Sequence, residues 1–111
     1  MGPHMTTFDK REEGFESKFA HDEELRFKAR ARRNKLVGLW AAEKLGLAGA
    51  AAETYATNVV NADLDKPDGD SVFSKLRNDF DERGVAQSDH QIRRTMEEAM
   101  AKAVAEIEAG R

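Results

Sequence analysis

The chain has 111 residues, with 18 lysines and arginines against 21 acidic residues, and its formal net charge is −3. This length fits a single domain, and the mild acidity argues against a dedicated nucleic-acid-binding protein, which usually carries a basic excess. The chain has no cysteine, which excludes disulfides, thiolate metal sites and a cysteine nucleophile. No apolar run approaches the roughly 20 residues that a membrane-spanning helix needs.

Two segments precede the main helical pattern. Residues 1–4 are interpreted as a vector-derived remnant. Residues 5–20 contain three of the six phenylalanines among charged and small residues. On a helix, the rings of Phe8, Phe15 and Phe19 would lie within an arc of about 40°. We expect this segment to be flexible alone and to become helical in the groove of a partner. The alternative is that it docks on its own bundle and buries the same rings there.

From Asp22 onward the pattern is helical, and no stretch alternates as a half-buried strand does. Caps, prolines and glycines mark the ends of four helices. The short connections favour antiparallel neighbours, which predicts an all-α four-helix bundle over residues 21–110. The predicted helices cover residues 22–45, 50–64 and 72–83, and a fourth runs from the cap Ser88 to Gly110.

A basic stretch lies in the first predicted helix, where six of the ten residues from Arg26 to Lys35 are basic. Arg33 and Trp40 are seven residues apart and share a face, so a guanidinium and an indole there suit a nucleotide's phosphates and base. The alternative is that Trp40 is buried between helices and the arginines form a solvated face. No glycine-rich loop of the Walker type is present.

Acidic residues are concentrated between the second and third helices, at Asp63, Asp65, Asp68 and Asp70. They do not match the spacing of a calcium-binding loop, so capping and solvation explain them better. The chain also lacks a nucleophile elbow and a metal-ligating histidine pair. We therefore expect neither a metal site nor an enzyme.

Two blocks of sequence carry a resemblance to a known family. They are Phe-Ala-His-Asp-Glu-Glu at 19–24 and Arg-Arg-Asn-Lys-Leu-Val-Gly-Leu-Trp-Ala at 32–41, supported by the stretches 55–60 and 70–76. With these blocks the chain resembles the zeta subunit of alpha-proteobacterial ATP synthases. The resemblance implies a four-helix bundle that binds the catalytic head of the rotary enzyme, formed by its alpha, beta and gamma subunits, and blocks ATP hydrolysis. In that family the N-terminal segment inserts as a helix at an interface between catalytic subunits.

The same resemblance implies ADP or ATP as a regulatory ligand, and a cytoplasmic location peripheral to the inner membrane through the ATP synthase. The charge balance and the lack of a long apolar run predict no nucleic-acid partner and no membrane insertion. The predicted partner-binding residues are Phe8, Arg11, Phe15, Lys18 and Phe19. The predicted nucleotide-binding residues are Arg33, Asn34, Lys35 and Trp40.

Two other functions remain open from the residues themselves. One is a helical interaction module that binds RNA through the basic stretch from Arg26 to Lys35, which would show a steep loss of affinity with salt. The other is an adenine-nucleotide sensor that has no inhibitory segment.

Overall fold

The computed structural model describes residues 21–67 and 70–110. Residues 5–20, on which all five predicted partner-binding residues fall, lie outside the described residues. The described part of the chain folds into four α-helices without a strand, which confirms the predicted fold class. These helices are α1 (Glu23–Lys44), α2 (Gly49–Asp65), α3 (Ser71–Arg83) and α4 (Asp89–Glu108).

The helix ends follow from local capping chemistry. The Asp22 carboxylate accepts a hydrogen bond of 3.1 Å from the backbone N–H of Leu25, and the Ser88 hydroxyl accepts one of 3.0 Å from that of Gln91. These bonds satisfy backbone donors that have no partner within the helix. Gly84 ends α3 with a φ of 68°, a left-handed conformation that glycine adopts without steric cost. The predicted ends of α1, α2 and α3 each agree to within one residue.

Each helix packs against two others: α1 against α2 and α4, extensively, and α3 against the same two helices over a smaller area. The main core is completed by fully buried side chains from every helix, which confirms the predicted apolar stripes at these positions: Val37, Val59, Leu76, Phe80 and Ile92. A smaller cluster of Ala29, Met100 and Val104 joins the N-terminal half of α1 to α4. Within residues 21–67 and 70–110, no helix is both long and apolar enough to cross a membrane.

Helices α1 and α2 approach each other closely at Gly38. A Cβ atom added to Gly38 would lie 2.7 Å from the Cα and 3.1 Å from the Cβ of Ala56. The first of these contacts is with backbone, which cannot rotate away. The absence of a side chain at Gly38 therefore sets the spacing of α1 and α2, and with it the shape of the surface between them.

A polar contact joins α2 to α3. The Tyr55 hydroxyl donates a hydrogen bond of 2.6 Å to Oδ2 of Asp79, and Lys75 Nζ lies 3.1 Å from the same oxygen. Burial of the phenol, and then its bond to the Asp79 carboxylate, raise the pKa of Tyr55 above its usual value near 10. The phenol therefore stays protonated in the folded chain at pH values where an unfolded chain would lose the proton.

This contact predicts an alkaline loss of stability. The free energy that Tyr55 contributes is fully present below pH about 10 and is lost as the pH rises above that value, because the unfolded chain then ionises first. Tyr55→Phe should cost about 1 kcal/mol at neutral pH and should reduce the alkaline loss. Ultraviolet titration of this sole tyrosine, together with urea unfolding at several pH values, measures both effects. A tyrosine that titrates near 10 in the folded chain would contradict the bond.

Candidate functional site

A groove lies between the N-terminal half of α1 and the C-terminal end of α2. Its volume is about 210 Å³, and its lining is mostly apolar. Phe27 and Leu64 form its rims and are 58% and 50% exposed, so two large apolar residues are exposed at the same opening. The groove is lined by Phe27, Arg30, Ala31, Asn34, Val60, Asp63, Leu64 and Pro67.

The floor of the groove is a buried polar cluster. Asn34 is fully buried, and its side-chain amide donates a hydrogen bond of 2.9 Å to Asp63, which is only 5% exposed. The other carboxylate oxygen of Asp63 accepts a hydrogen bond of 3.3 Å from Arg30. Arg33 Nε donates to the Asn34 side-chain oxygen at 2.8 Å. The cluster thus joins α1 to α2, and every buried side-chain nitrogen or oxygen of the described residues has a partner.

The cluster carries one surplus positive charge, because two arginines face a single carboxylate. Burial of the Arg33 guanidinium lowers its pKa. The negative charge of Asp63 raises this pKa, and the positive charge of Arg30 lowers it. An arginine nevertheless stays protonated at physiological pH. Among residues 21–67 and 70–110, the Arg33 guanidinium is hydrogen-bonded to a neutral amide and not to a carboxylate, so an anion placed beside it would be stabilised.

The position of Asp63 contradicts the prediction that the acidic residues between the second and third helices are solvated. Helix α2 extends to Asp65, and position 63 falls on the same face as Ala56 and Val59, which are buried against α1. The carboxylate is buried there because Asn34 and Arg30 compensate its lost hydration. Continuing the apolar spacing of α2 by one more turn would have placed Asp63 on the inner face. No group of three potential metal ligands occurs among the described residues.

The basic stretch of α1 is largely compensated by acids. Three of its cations pair with carboxylates on neighbouring helices, and one pairs within α1. This distribution disfavours an RNA-binding surface, which needs cations available for phosphates. It also corrects the alternative of a solvated face, since Arg30, Arg32 and Arg33 are half-buried. The pairs are Arg30–Asp63, Arg32–Glu106, Lys35–Glu53 and Lys28–Glu24.

The four predicted nucleotide-binding residues do not form one group. Arg33 and Asn34 are hydrogen-bonded to each other in the polar cluster. Lys35 is exposed and lies 3.6 Å from a carboxylate oxygen of Glu53. Trp40 is half-buried and packs edge-to-face on Phe80 of α3, with ring centroids 5.7 Å apart. Its indole contributes to the main core, as the alternative for this residue anticipated.

The family to which the chain belongs is decided by comparison with known families. A family model described as ATPase inhibitor subunit zeta matches residues 5–106. The chain belongs to the zeta-subunit family. This confirms the resemblance seen in the two sequence blocks. As a zeta-family protein it has a regulatory, non-catalytic role at the ATP synthase.

A solved structure supports the fold of this zeta-family chain. A protein whose structure was determined by NMR in solution is 39% identical, with a TM-score of 0.68. The match covers 78% of this chain and 99% of the other. A search of curated proteins finds no match.

Proposed function

We propose that residues 5–20 insert as a helix at an interface between catalytic subunits of the ATP synthase and thereby block ATP hydrolysis. The observation that carries this proposal is the family match, which begins at residue 5 and so includes the whole segment. The four-helix bundle then carries residues 5–20 to the enzyme. In this proposal the protein is cytoplasmic, peripheral to the membrane, and bound at the head formed by the alpha, beta and gamma subunits.

The segment blocks the cycle by binding one state of the enzyme better than the others. Catalytic interfaces open and close as the central stalk turns, and only such differential affinity can stop that cycle. Phe8, Phe15 and Phe19 anchor the helix, each contributing about 1.5–3 kcal/mol when buried, before ordering costs are subtracted. Arg11 and Lys18 set its orientation through charge complementarity.

The first test compares matched variants in an ATPase assay of the purified catalytic head. We expect the full chain to inhibit hydrolysis and a chain lacking residues 5–20 to lose inhibition. Phe15→Ala should raise the inhibitory concentration by about tenfold or more, as the loss of one buried anchor requires. Thr7→Ala in the same segment is the control and should inhibit as the unmodified chain does. Equal inhibition by the truncated and full chains would contradict the insertion mechanism.

A second proposal is that the bundle binds ADP or ATP with Arg33 holding a phosphate. The surplus positive charge of the polar cluster supports it, because the Arg33 guanidinium is bonded to a neutral group. Lys35 lies two positions further along α1, and its exposed ammonium group, 3.6 Å from Glu53, makes the smaller contribution. The Asn34 amide holds the Arg33 guanidinium in place.

Separate substitutions locate the nucleotide site. In an ADP titration followed by NMR, Arg33→Gln should weaken binding by about tenfold, the value of one charged hydrogen bond. Lys35→Gln should weaken it less. Trp40→Phe should leave the affinity unchanged, because the indole lies in the core. A loss confined to Trp40→Phe would move the site to the α1–α3 side of the bundle and contradict this proposal.

A further inference from the structure

The groove between α1 and α2 opens beside the point where residues 5–20 join the bundle. Phe27 lies on the first turns of α1, and Leu64 lies at the end of α2, so the groove faces the N-terminal end of α1. We propose that the Phe19 ring of this chain occupies this groove whenever residues 5–20 are not bound to the ATP synthase. The effect of this docking on inhibition rests on the proposed function, whereas the docking of Phe19 in the groove does not.

The size and lining of the groove suit a single phenyl ring. An apolar cavity of about 150 Å³ holds benzene, and the groove offers about 210 Å³. A ring between Phe27 and Leu64 would cover the two large apolar side chains that are most exposed among the described residues. Removing such surface from water is the main favourable term in docking.

The chain length selects Phe19 over the other rings. Phe19 lies four residues before Glu23, which allows a reach of up to about 14 Å. Along α1, Phe27 is only about 6 Å and Ala31 about 12 Å from Glu23. A chain that folds back therefore brings the Phe19 ring to the groove. Phe15 can also reach, but it closes a longer loop at a higher entropic cost.

Charge complementarity favours the same occupant. Residues 5–20 contain one more acidic than basic residue, and Glu16 lies three positions before Phe19 in the sequence. Arg30 and Asp63 line the groove as an ion pair, and Arg33, which is hydrogen-bonded to the groove-lining Asn34, leaves the cluster with one surplus positive charge. Docking of Phe19 thus brings a carboxylate toward the arginines, while a strongly basic partner segment would be repelled.

Docking of Phe19 makes the bundle a competitor of the ATP synthase for the same ring. A chain with Phe19 in the groove cannot insert that ring elsewhere, so the apparent inhibition constant rises by the reciprocal of the free fraction. A substitution that weakens docking of Phe19 in the groove should therefore strengthen inhibition. A substitution that removes a contact with the ATP synthase should instead weaken inhibition.

The absence of native cysteine allows a direct test in the full chain. A nitroxide label on Ser17→Cys should broaden the methyl signals of Leu64 and Val60, and leave those of Leu47 at the opposite end of the bundle sharp. Adding Phe19→Ala should remove most of this broadening, and the matched Phe8→Ala should not. Broadening that is unchanged by Phe19→Ala would overturn the proposal. Broadening of the signals of unlabelled chains by labelled chains would also overturn the proposal, because the occupant of the groove would then be a second copy.

The ATPase assay tests the consequence separately. Leu64→Asn, at a position that is half exposed, should inhibit the catalytic head at a two- to tenfold lower concentration, as a rise in the free fraction from about 0.1–0.5 toward 1 requires. Ala101→Asn on the exposed face of α4 is the control and should inhibit as the unmodified chain does. An unchanged value for Leu64→Asn would overturn the competition. If no chain inhibits, the proposed function fails, while the nitroxide experiment still decides the docking.

Discussion

Asp63→Ala should lower the free energy of unfolding by about 3 kcal/mol, because it removes the only carboxylate of the buried cluster. Arg30 and Arg33 would then face each other without compensation, and the fully buried Asn34 amide would lose its acceptor. The value lies at the lower end of the range for a broken buried ion pair, since Arg30 retains some solvent contact. Urea unfolding followed by fluorescence of the sole tryptophan, Trp40, measures the change.

The matched control is Asp65→Ala, two residues further along α2. Asp65 is exposed at the end of the helix, so its loss should change the unfolding free energy by less than about 0.5 kcal/mol. Asp63→Asn keeps a side-chain oxygen for hydrogen bonding but not the charge, and should fall between the two. A loss below 1 kcal/mol for Asp63→Ala would indicate, contrary to the structure, that the cluster is hydrated in solution.

Gly38→Ala should destabilise the bundle by about 1–2 kcal/mol even though alanine is the better helix former. Overpacking of a tight contact costs about 1–3 kcal/mol, and the added methyl group meets the backbone of Ala56 at 2.7 Å. The helix preference of alanine offsets about 1 kcal/mol of this cost. A net loss of unfolding free energy is therefore expected only if the contact is tight. Thermal and urea unfolding give the value.

A second substitution separates the backbone contact from the side-chain contact. Ala56→Gly removes the Cβ that lies 3.1 Å from the added atom, but leaves the Cα at 2.7 Å. The double variant should therefore recover only part of what Gly38→Ala loses, after correction for Ala56→Gly alone. A stabilising Gly38→Ala would show that α1 and α2 separate easily, and the groove between them would then be less well formed.

The contacts with Asp63 and Ala56 also explain part of the block at residues 32–41, on which the family resemblance rests. Within it, Asn34 bonds to Asp63 and Gly38 permits the close approach of α1 and α2. Trp40 packs on Phe80 in the main core. Three residues of the block thus serve the assembly of the bundle, and Arg33 is the member with a guanidinium available to an anion.

The helices and their ends were predictable from local chemistry. The Asp22 and Ser88 caps act on backbone N–H groups three residues away, and the apolar spacing of Val37, Leu76 and Ile92 needs only the helical period. Such signals lie within a few neighbouring residues, so they can be interpreted without knowing which helices meet. The four-helix fold follows from them and from the short connections.

The groove and its floor could not be predicted in the same way, because they depend on contacts between residues far apart in the chain. The sequence predicts a solvated acid at Asp63, whereas α2 places this residue against Asn34, 29 residues earlier. The spacing predicts Trp40 beside Arg33 on one helix face, yet its position beside Phe80 is decided by α3. Whether a polar side chain is buried depends on what compensates it, and for Asp63 that compensation comes from another helix.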